Sequence, residues 1–532
     1  MEFFFYHVLE KQSRPIRKQL VETKENDILN STGTSRAIRE IIMKMSKKAL
    51  YAALKAHDSR FDGHFFVGIS STGIYCRPVC RVKTPQEKNC TFYPSAAAAE
   101  LAGYRPCLKC RPELAPGHSS IDSTSRLACR AASIIEENKL VESNIAGLAD
   151  RLGITDRHLR RVFAAEFGVS PVQYLQTCRL LLAKNLLVDT PLSVSKISMS
   201  SGFGSLRRFN DLFKARYKLT PTDLRKRGGR ISDAGCDSIT IRLGYRPPYR
   251  WETLLEFLAG RAIPGIESVE DGVYRRTVVL PNREKNVRGW IAVENLSNKN
   301  LLVVTLSASL LAALPKTLSR VRQFFDLNCD PFEIDKVLEN MSRFLPGLYI
   351  SGTRLPGCFD PFEMCVWAVL GQQITVKAAR TLTLRLVETF GEKIETPFEK
   401  LTMTFPTAAR IASLGKPVED KLGSLGITKI RARSILALAT AMVCGEIDLS
   451  SQADPEMEIP KLLNLPGIGP WTARYIAMRG IGWPDAFPHT DYGIKKALNN
   501  FSEREILELS ETWKPWRAYA AINLWDSLNH ER

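Results

Sequence analysis

The chain has 532 residues, with 74 Lys+Arg against 56 Asp+Glu and a formal net charge of +18. Hydrophobic residues make up 44% and charged residues 24%. That is the balance of a globular chain of about three or four domains, and it excludes a mostly disordered protein, a collagen-like repeat and a small disulfide scaffold. The positive surplus calls for an anionic partner, with nucleic acid ahead of an anionic membrane.

Residues 1–44 are polar, with a helical pattern around Ser35–Lys44, and Met45-Ser46-Lys47-Lys48 reads as a protein start. We expect 1–44 to be a disordered tail or an upstream extension of the reading frame. Met1-Glu2-Phe3-Phe4-Phe5 has an acid where a signal peptide carries basic residues. The longest apolar stretch, Leu301–Leu314, is broken by Thr305, Ser307 and Ser309 and stopped by Pro315, too short to cross a bilayer. Twelve cysteines are too few for a disulfide framework, so a reducing cytoplasm is expected and clustered cysteines point to metal or reactivity.

Charge is unevenly placed. Residues 1–50 and 51–120 each carry a net +4, 121–230 carry +9, 231–355 carry +2 and 356–532 carry −1. The concentration in 121–230 predicts a DNA-binding module. Three breaks separate the regions: Pro112–Ser125 and Arg225–Gly235, both read as linkers, and Leu345-Pro346-Gly347.

Between the first two divisions lie Cys76-x3-Cys80 and, 26 residues on, Cys107-x2-Cys110. Two close thiol pairs are what a tetrahedral zinc ion needs, and spacing alone favours a closed structural site. The motifs Arg60-Phe61-Asp62-Gly63, Ser71-Thr72-Gly73-Ile74-Tyr75-Cys76-Arg77-Pro78-Val79-Cys80, Phe92-Tyr93-Pro94 and Ala102-Gly103-Tyr104-Arg105-Pro106-Cys107-Leu108-Lys109-Cys110 resemble the N-terminal domain of the Ada methylation-response family. The resemblance implies that all four cysteines bind Zn2+ and that Cys76 irreversibly accepts a methyl group from a DNA methylphosphotriester. The chemistry is consistent: zinc keeps thiolates deprotonated at neutral pH, and methylating one of four changes the site from −2 to −1, which weakens its repulsion of phosphate. Cys90 and the seven remaining cysteines match no ligand position.

The basic region contains two helix-turn-helix patterns. In the first, Ile145–Ala149 leads through Gly153 to a helix opening at Thr155, with Leu159, Val162 and Phe163 as the apolar stripe. Arg157, His158, Arg160 and Arg161 on that helix are candidate DNA contacts. In the second, Val194–Ile197 leads through Gly202-Phe203-Gly204 to Ser205-Leu206-Arg207-Arg208-Phe209, with Phe209, Leu212 and Phe213 inward; Ser205, Arg207 and Arg208 are the candidates. His158 is equally a solvated helix residue. With Tyr217-x2-Thr220-Pro221-x2-Leu224-Arg225 closing the segment, the pair resembles the AraC-type DNA-binding domain.

From 239 to 315 the pattern alternates: a strand at Ile239–Leu243, a helix near Trp251–Leu258, and strands around Arg275–Leu280, Trp290–Glu294 and Leu301–Leu306, a small α+β unit. From Leu355 onward the chain reads helical. Leu465-Pro466-Gly467-Ile468-Gly469-Pro470-Trp471 is a glycine turn between helices, able to offer backbone N–H groups to one phosphate without side-chain charge. Asp491, in Phe487-Pro488-His489-Thr490-Asp491-Tyr492-Gly493, sits where a helix starts and reads locally as an N-cap.

Together with Leu355-Pro356-Gly357-Cys358, Ala368-Val369-Leu370-Gly371-Gln372-Gln373 and Trp513-Lys514-Pro515-Trp516-Arg517, these pieces resemble the helix-hairpin-helix DNA glycosylases, above all the AlkA-type 3-methyladenine glycosylases. The resemblance implies Asp491 as the catalytic carboxylate, Trp471, Tyr475 and Trp525 as the base pocket, and Gly467, Ile468 and Gly469 as the DNA-gripping hairpin. Trp471 stands where bifunctional relatives carry a Schiff-base lysine, which predicts a monofunctional enzyme. The residue after Gly-Gln, an apolar wedge in the AlkA pattern, is Gln373, so either Gln373 or Ile374 intercalates.

The expected protein is multidomain, mainly α with α+β parts. It comprises a four-cysteine zinc domain (45–118), a double helix-turn-helix domain (121–230), a small α+β domain (236–350) and an all-α helix-hairpin-helix glycosylase domain (351–532). The expected partners are damaged and promoter double-stranded DNA and RNA polymerase, with no membrane. The expected state is a monomer in a bacterial cytoplasm, at the nucleoid. The Pro-Cys-His-Arg signature of O6-alkylguanine transferases is absent, which confines the Ada resemblance to the front half.

Overall fold

Glycine and proline punctuation divides the apolar sequence into short strands first and long helical segments later, and the architecture follows that division. A computed structural model describes residues 46–117, 126–137, 145–228, 237–281, 286–344, 347–415 and 417–530. The expected tail, 1–44, lies outside the described residues.

The first region is a four-stranded sheet in the order β3-β1-β2-β4, formed by β1 (Phe66–Ile69), β2 (Ile74–Cys76), β3 (Cys90–Tyr93) and β4 (Arg105–Pro106). A hairpin turning at Gly73, φ +64°, joins β1 to β2. The crossover from β3 through the helix Ala96–Leu101, capped by Ser95, lays β4 parallel to β2.

Seven helices form the second region. Its two helix-turn-helix units are spanned by Pro171–Asp189, which opens with a reciprocal Ser170/Gln173 capping box. Each unit packs its own aromatic cluster, Phe163, Phe167 and Tyr174 in one and Phe209, Phe213 and Tyr217 in the other. The spanning helix buries Lys184, whose ammonium meets Glu113 Oε2 at 2.5 Å; Arg111 bridges Glu113 and Asp189 at 2.8–2.9 Å. This network corrects the linker expectation for the start of Pro112–Ser125. Pro112–Leu114 is a buried 3-10 turn held by ion pairs, because a charge pair this deeply desolvated requires fixed geometry. Residues 118–125 and 229–235 of the two expected linkers lie outside the described residues.

The third region is an antiparallel sheet in the order β5-β9-β8-β7-β6, formed by β5 (Ser238–Gly244), β6 (Glu267–Glu270), β7 (Val273–Leu280), β8 (Val287–Leu296) and β9 (Leu301–Ser307). Strand β6 was not legible: Glu267-Ser268-Val269-Glu270 is an edge strand that needs one partner and little apolar surface. Helices Trp251–Ala259 and Leu314–Phe324 pack on this sheet around Tyr274, Phe324 and Phe325.

The fourth region has two helical cores. Pro361–Leu370 is apolar on every face and forms the centre of one, as a helix wrapped by Val376–Phe390, Lys429–Val443 and Pro470–Ile476 must be. Trp513, Trp516 and the C-terminal helix Arg517–His530 build the other. A two-residue strand pair, Glu392–Lys393 with Met403–Thr404, interrupts the otherwise helical run. Among the described residues no helix is long and apolar enough to cross a membrane.

Candidate functional sites

The parallel pairing of β2 with β4 ends two neighbouring strands at Cys76 and Cys107. The tight turns that follow return Cys80 and Cys110 to the same point, and all four Sγ atoms lie within 4.8 Å of one another. Tetrahedral Zn–S bonds of about 2.3 Å require that kind of cluster. The thiols by themselves cannot share the charge: the Cys107 sulfur is pulled down by hydrogen bonds from Cys110, Cys76 and Cys80, while Cys76 is pushed up by Cys107, Cys110 and Cys80. A divalent cation is what lets four ionise together, and zinc fits the donor set. Behind it, the Arg77 amide donates to Cys110 Sγ at 3.4 Å, and the Arg77 guanidinium pairs with buried Asp62 and donates to the Cys110 carbonyl at 3.1 Å. Cys76 is only 3% exposed, whereas Cys110 is half-buried. Cys90 is buried in β3 outside the cluster.

In the helix-turn-helix region Thr155 caps Asp156–Phe167 by accepting from the His158 amide, and Ser205 caps Leu206–Tyr217 by accepting from Arg208. Gly153 and Gly202 take the left-handed conformations their turns need, φ +68° and +86°. Leu159, Phe163, Phe209 and Phe213 are fully buried, leaving Arg157, Arg160, Arg161, Ser205, Arg207 and Arg208 exposed. His158 is half-buried, its Nδ1 3.2 Å from Arg161 Nη2; Arg160 pairs with Asp156.

The helices Pro455–Leu463 and Pro470–Ile476 flank the hairpin turn. Gly467 has φ +74°, and a Cβ there would meet Ser434 Oγ at 2.3 Å, so the turn demands glycine. Ile468 is buried as the turn's anchor, while the Gly467 and Gly469 amides have no hydrogen-bond partner among the described residues. Gln372, which was not singled out from sequence, donates to Gly467 O and Thr472 Oγ1 at 2.9 Å and so ties a second loop to the hairpin. At the tip of that loop Gln373 is exposed in a left-handed conformation, φ +54°, whereas Ile374 packs against the helical core.

At the seam between the two helical cores stands Asp491, the N-cap of Tyr492–Ala497. Its Oδ1 accepts from the Gly493 and Ile494 amides at 2.8 and 3.3 Å and from Trp525 Nε1 at 2.9 Å; Oδ2 accepts from Trp471 Nε1 at 2.9 Å. Trp471 and Tyr475 stack with centroids 5.2 Å apart and planes 12° off parallel, and Trp525 closes the group 6.2 Å from Tyr475. The cap and the pocket-facing carboxylate are one residue: half of its lone pairs organise the helix and half are held by indoles. Two contributors were missed from sequence. Phe257, on the helix against the sheet, stacks 16° off parallel with Trp525. Arg479 donates to Tyr475 Oη at 3.1 Å. Phe257 lies more than 200 residues from the hairpin and gave no local signal; Arg479 follows the aromatic pair by one helical turn and was within reach.

Comparison with known proteins divides the chain the same way. In order, it matches the Metal binding domain of Ada over residues 49–113, a Helix-turn-helix domain over 148–227, the AlkA N-terminal domain over 240–360, and the HhH-GPD superfamily base excision DNA repair protein over 366–506. The probable bifunctional transcriptional activator/DNA repair enzyme AlkA of Mycobacterium tuberculosis is 36% identical over 489 residues, 90% of this chain and 96% of that protein. DNA-3-methyladenine glycosylase 2 of Escherichia coli is 35% identical over 53% of this chain and 95% of its own length. The bifunctional transcriptional activator/DNA repair enzyme Ada of Escherichia coli is 32% identical over 29% of this chain and 42% of its own length. A near end-to-end match to the first, with the other two dividing its halves, shows that the chain belongs to the family of AlkA-type bifunctional transcriptional activator/DNA repair enzymes, in which an Ada zinc domain and a DNA-binding helix-turn-helix domain precede a helix-hairpin-helix glycosylase.

Proposed function

We propose that this protein is a DNA alkylation-damage response protein. It excises 3-methyladenine-type bases as a monofunctional DNA glycosylase, and it switches on repair genes after methyl transfer to Cys76. The carrying observation is the Asp491 carboxylate, presented by two indole N–H groups beside the Trp471–Tyr475 stack. An alkylated base is electron-poor and positively charged, so a stack of Trp and Tyr faces holds it by cation–π attraction once it is flipped from the duplex. Gln373, exposed at its loop tip, fills the vacated space, and the hairpin amides of Gly467 and Gly469 hold a neighbouring phosphate. The glycosyl bond breaks with its electron pair leaving on the base, which becomes neutral. Asp491 stabilises the positive charge that develops on the sugar and orients the water that adds to C1′. With Trp471 in place of a lysine there is no amine to form a Schiff base, so strand cleavage does not follow.

In the front half, bound zinc keeps the four thiols ionised. The Cys76 sulfur attacks the methyl carbon of a methylphosphotriester; an S–C bond forms, the C–O bond breaks, and the phosphate oxygen keeps the electron pair, so no proton moves. Access opens when DNA seats on the domain, because Cys76 is buried in the free protein. Loss of one negative charge then favours promoter binding through Arg157, His158, Arg160, Arg161, Ser205, Arg207 and Arg208, with RNA polymerase recruited there. The protein acts as a monomer in the bacterial cytoplasm, at the nucleoid, with 45–118, 121–230, 236–350 and 351–532 as its domains.

Incubating the full-length protein with methylated duplex DNA should release free 3-methyladenine. Incubating it with methylphosphotriester DNA should add about 14 Da to the peptide holding Cys76. Tight DNA binding without base release would leave a regulator with a non-catalytic glycosylase-like half, and a mass gain at Cys110 instead would reassign the acceptor.

A further inference from the structure

Away from the zinc, helix-turn-helix and glycosylase sites, three regions meet around a cavity of about 210 Å3. The zinc region supplies Phe66, the helix Pro171–Asp189 supplies Leu182, and the sheet region supplies Leu243 and Leu318. This wall is largely apolar. The volume is ample for one small ring, since an engineered cavity of about 150 Å3 takes benzene.

Two polar groups lining it are left over. Arg322 Nη1 and Asn328 Oδ1 are both shielded from solvent and have no hydrogen-bond partner. No carboxylate oxygen lies within 4.0 Å of the Arg322 guanidinium, and burial pushes its pKa down. The cavity's one acid, Glu136, is occupied by the Tyr174 hydroxyl at 2.7 Å, and burial raises its pKa. A desolvated cation without a counter-charge is costly, and a domain junction has no need to create one for packing. Water would satisfy the orphaned hydrogen bonds but not the charge. A single cation beside an apolar wall, with a carboxyl opposite, suits one negative charge on an apolar body better than a phosphate dianion.

We propose that this junction is a binding site for a small organic monocarboxylate of about benzoate size, with its carboxylate on Arg322 and its apolar body against Leu182, Leu243 and Leu318. An occupant touches all three regions at once, so it binds their docked arrangement and stabilises it by mass action. The site is therefore a route by which a metabolite acts on how firmly the regulatory half holds the catalytic half.

The test is calorimetric titration and thermal unfolding of the full-length protein with sodium benzoate, with benzamide as the neutral isostere and inorganic phosphate as the competing anion. Saturable benzoate binding with a rise in Tm is expected, with weaker binding of benzamide and phosphate. Arg322→Met should lose at least about tenfold in benzoate affinity, and Leu182→Trp, which fills the cavity and keeps the cation, should abolish binding. Should Arg322→Met fail to fold, Leu182→Trp decides. The proposal is overturned by absence of saturable benzoate binding, by equal affinity in the variants, or by phosphate or benzamide binding as tightly as benzoate.

Discussion

The two halves present opposite chemistry to the same polyanion. On the recognition helices Asp156–Phe167 and Leu206–Tyr217 the outward positions are arginines, in a region of net +9. The hairpin between Pro455–Leu463 and Pro470–Ile476 has no charged side chain in its turn and sits in a segment of net −1. A field of arginines attracts DNA from a distance and strengthens with each phosphate neutralised. Backbone amides act only in contact, on one phosphate, and leave the surroundings free of excess positive charge. That suits a site whose working group is a single carboxylate, because a nearby cationic patch would offset the field that Asp491 directs at the sugar.

The comparison can be broken experimentally. Zinc removal should have the largest effect: structural zinc contributes on the order of 10 kcal/mol to small cysteine-rich folds. Chelation should therefore unfold the first region, read by limited proteolysis between 46 and 117, and end promoter switching, while base release by the other half persists. Asp491→Asn comes next. Asparagine keeps the N-cap, so helical content should be unchanged while base release falls on the order of 10³-fold and promoter binding stays intact. Gly467→Ala should be milder, costing roughly 1–3 kcal/mol from the left-handed backbone and the Ser434 contact. Measured as weaker binding to abasic-site DNA, the loss should leave the salt dependence unchanged. The smallest effect is expected of Arg208→Ala, which should reduce the slope of log affinity against log salt for promoter DNA by about 0.9 without touching base release. An unchanged slope would remove this arginine from the phosphate-contacting set.

Legibility in the sequence followed the range of the interaction responsible. Both helix-turn-helix caps, the glycine turns and the Asp491 cap were readable because a side chain two or three residues from an amide decides them. The stack of Trp471 on Tyr475 was readable for the same reason, four residues being one helical turn. Strand β6 was not, because an edge strand carries little apolar signal, and the ordered Pro112–Leu114 turn was not, because its partners Lys184 and Asp189 lie some 70 residues away. Phe257 escaped because its pocket partner Trp525 belongs to the far end of the chain.

By itself, then, the sequence determined the ligand set, the order of the four regions, the hairpin and the position of the carboxylate, all of which depend on spacing and local conformation. The tertiary structure decided how the pieces act together. Parallel pairing of β2 with β4 converts two cysteine motifs into one cluster. Docking of Trp525 gives Asp491 its second indole. Packing of three regions around Arg322 leaves a cation without a counter-charge. These are long-range contacts, set by which surfaces bury against each other, and no local pattern of residues encodes them.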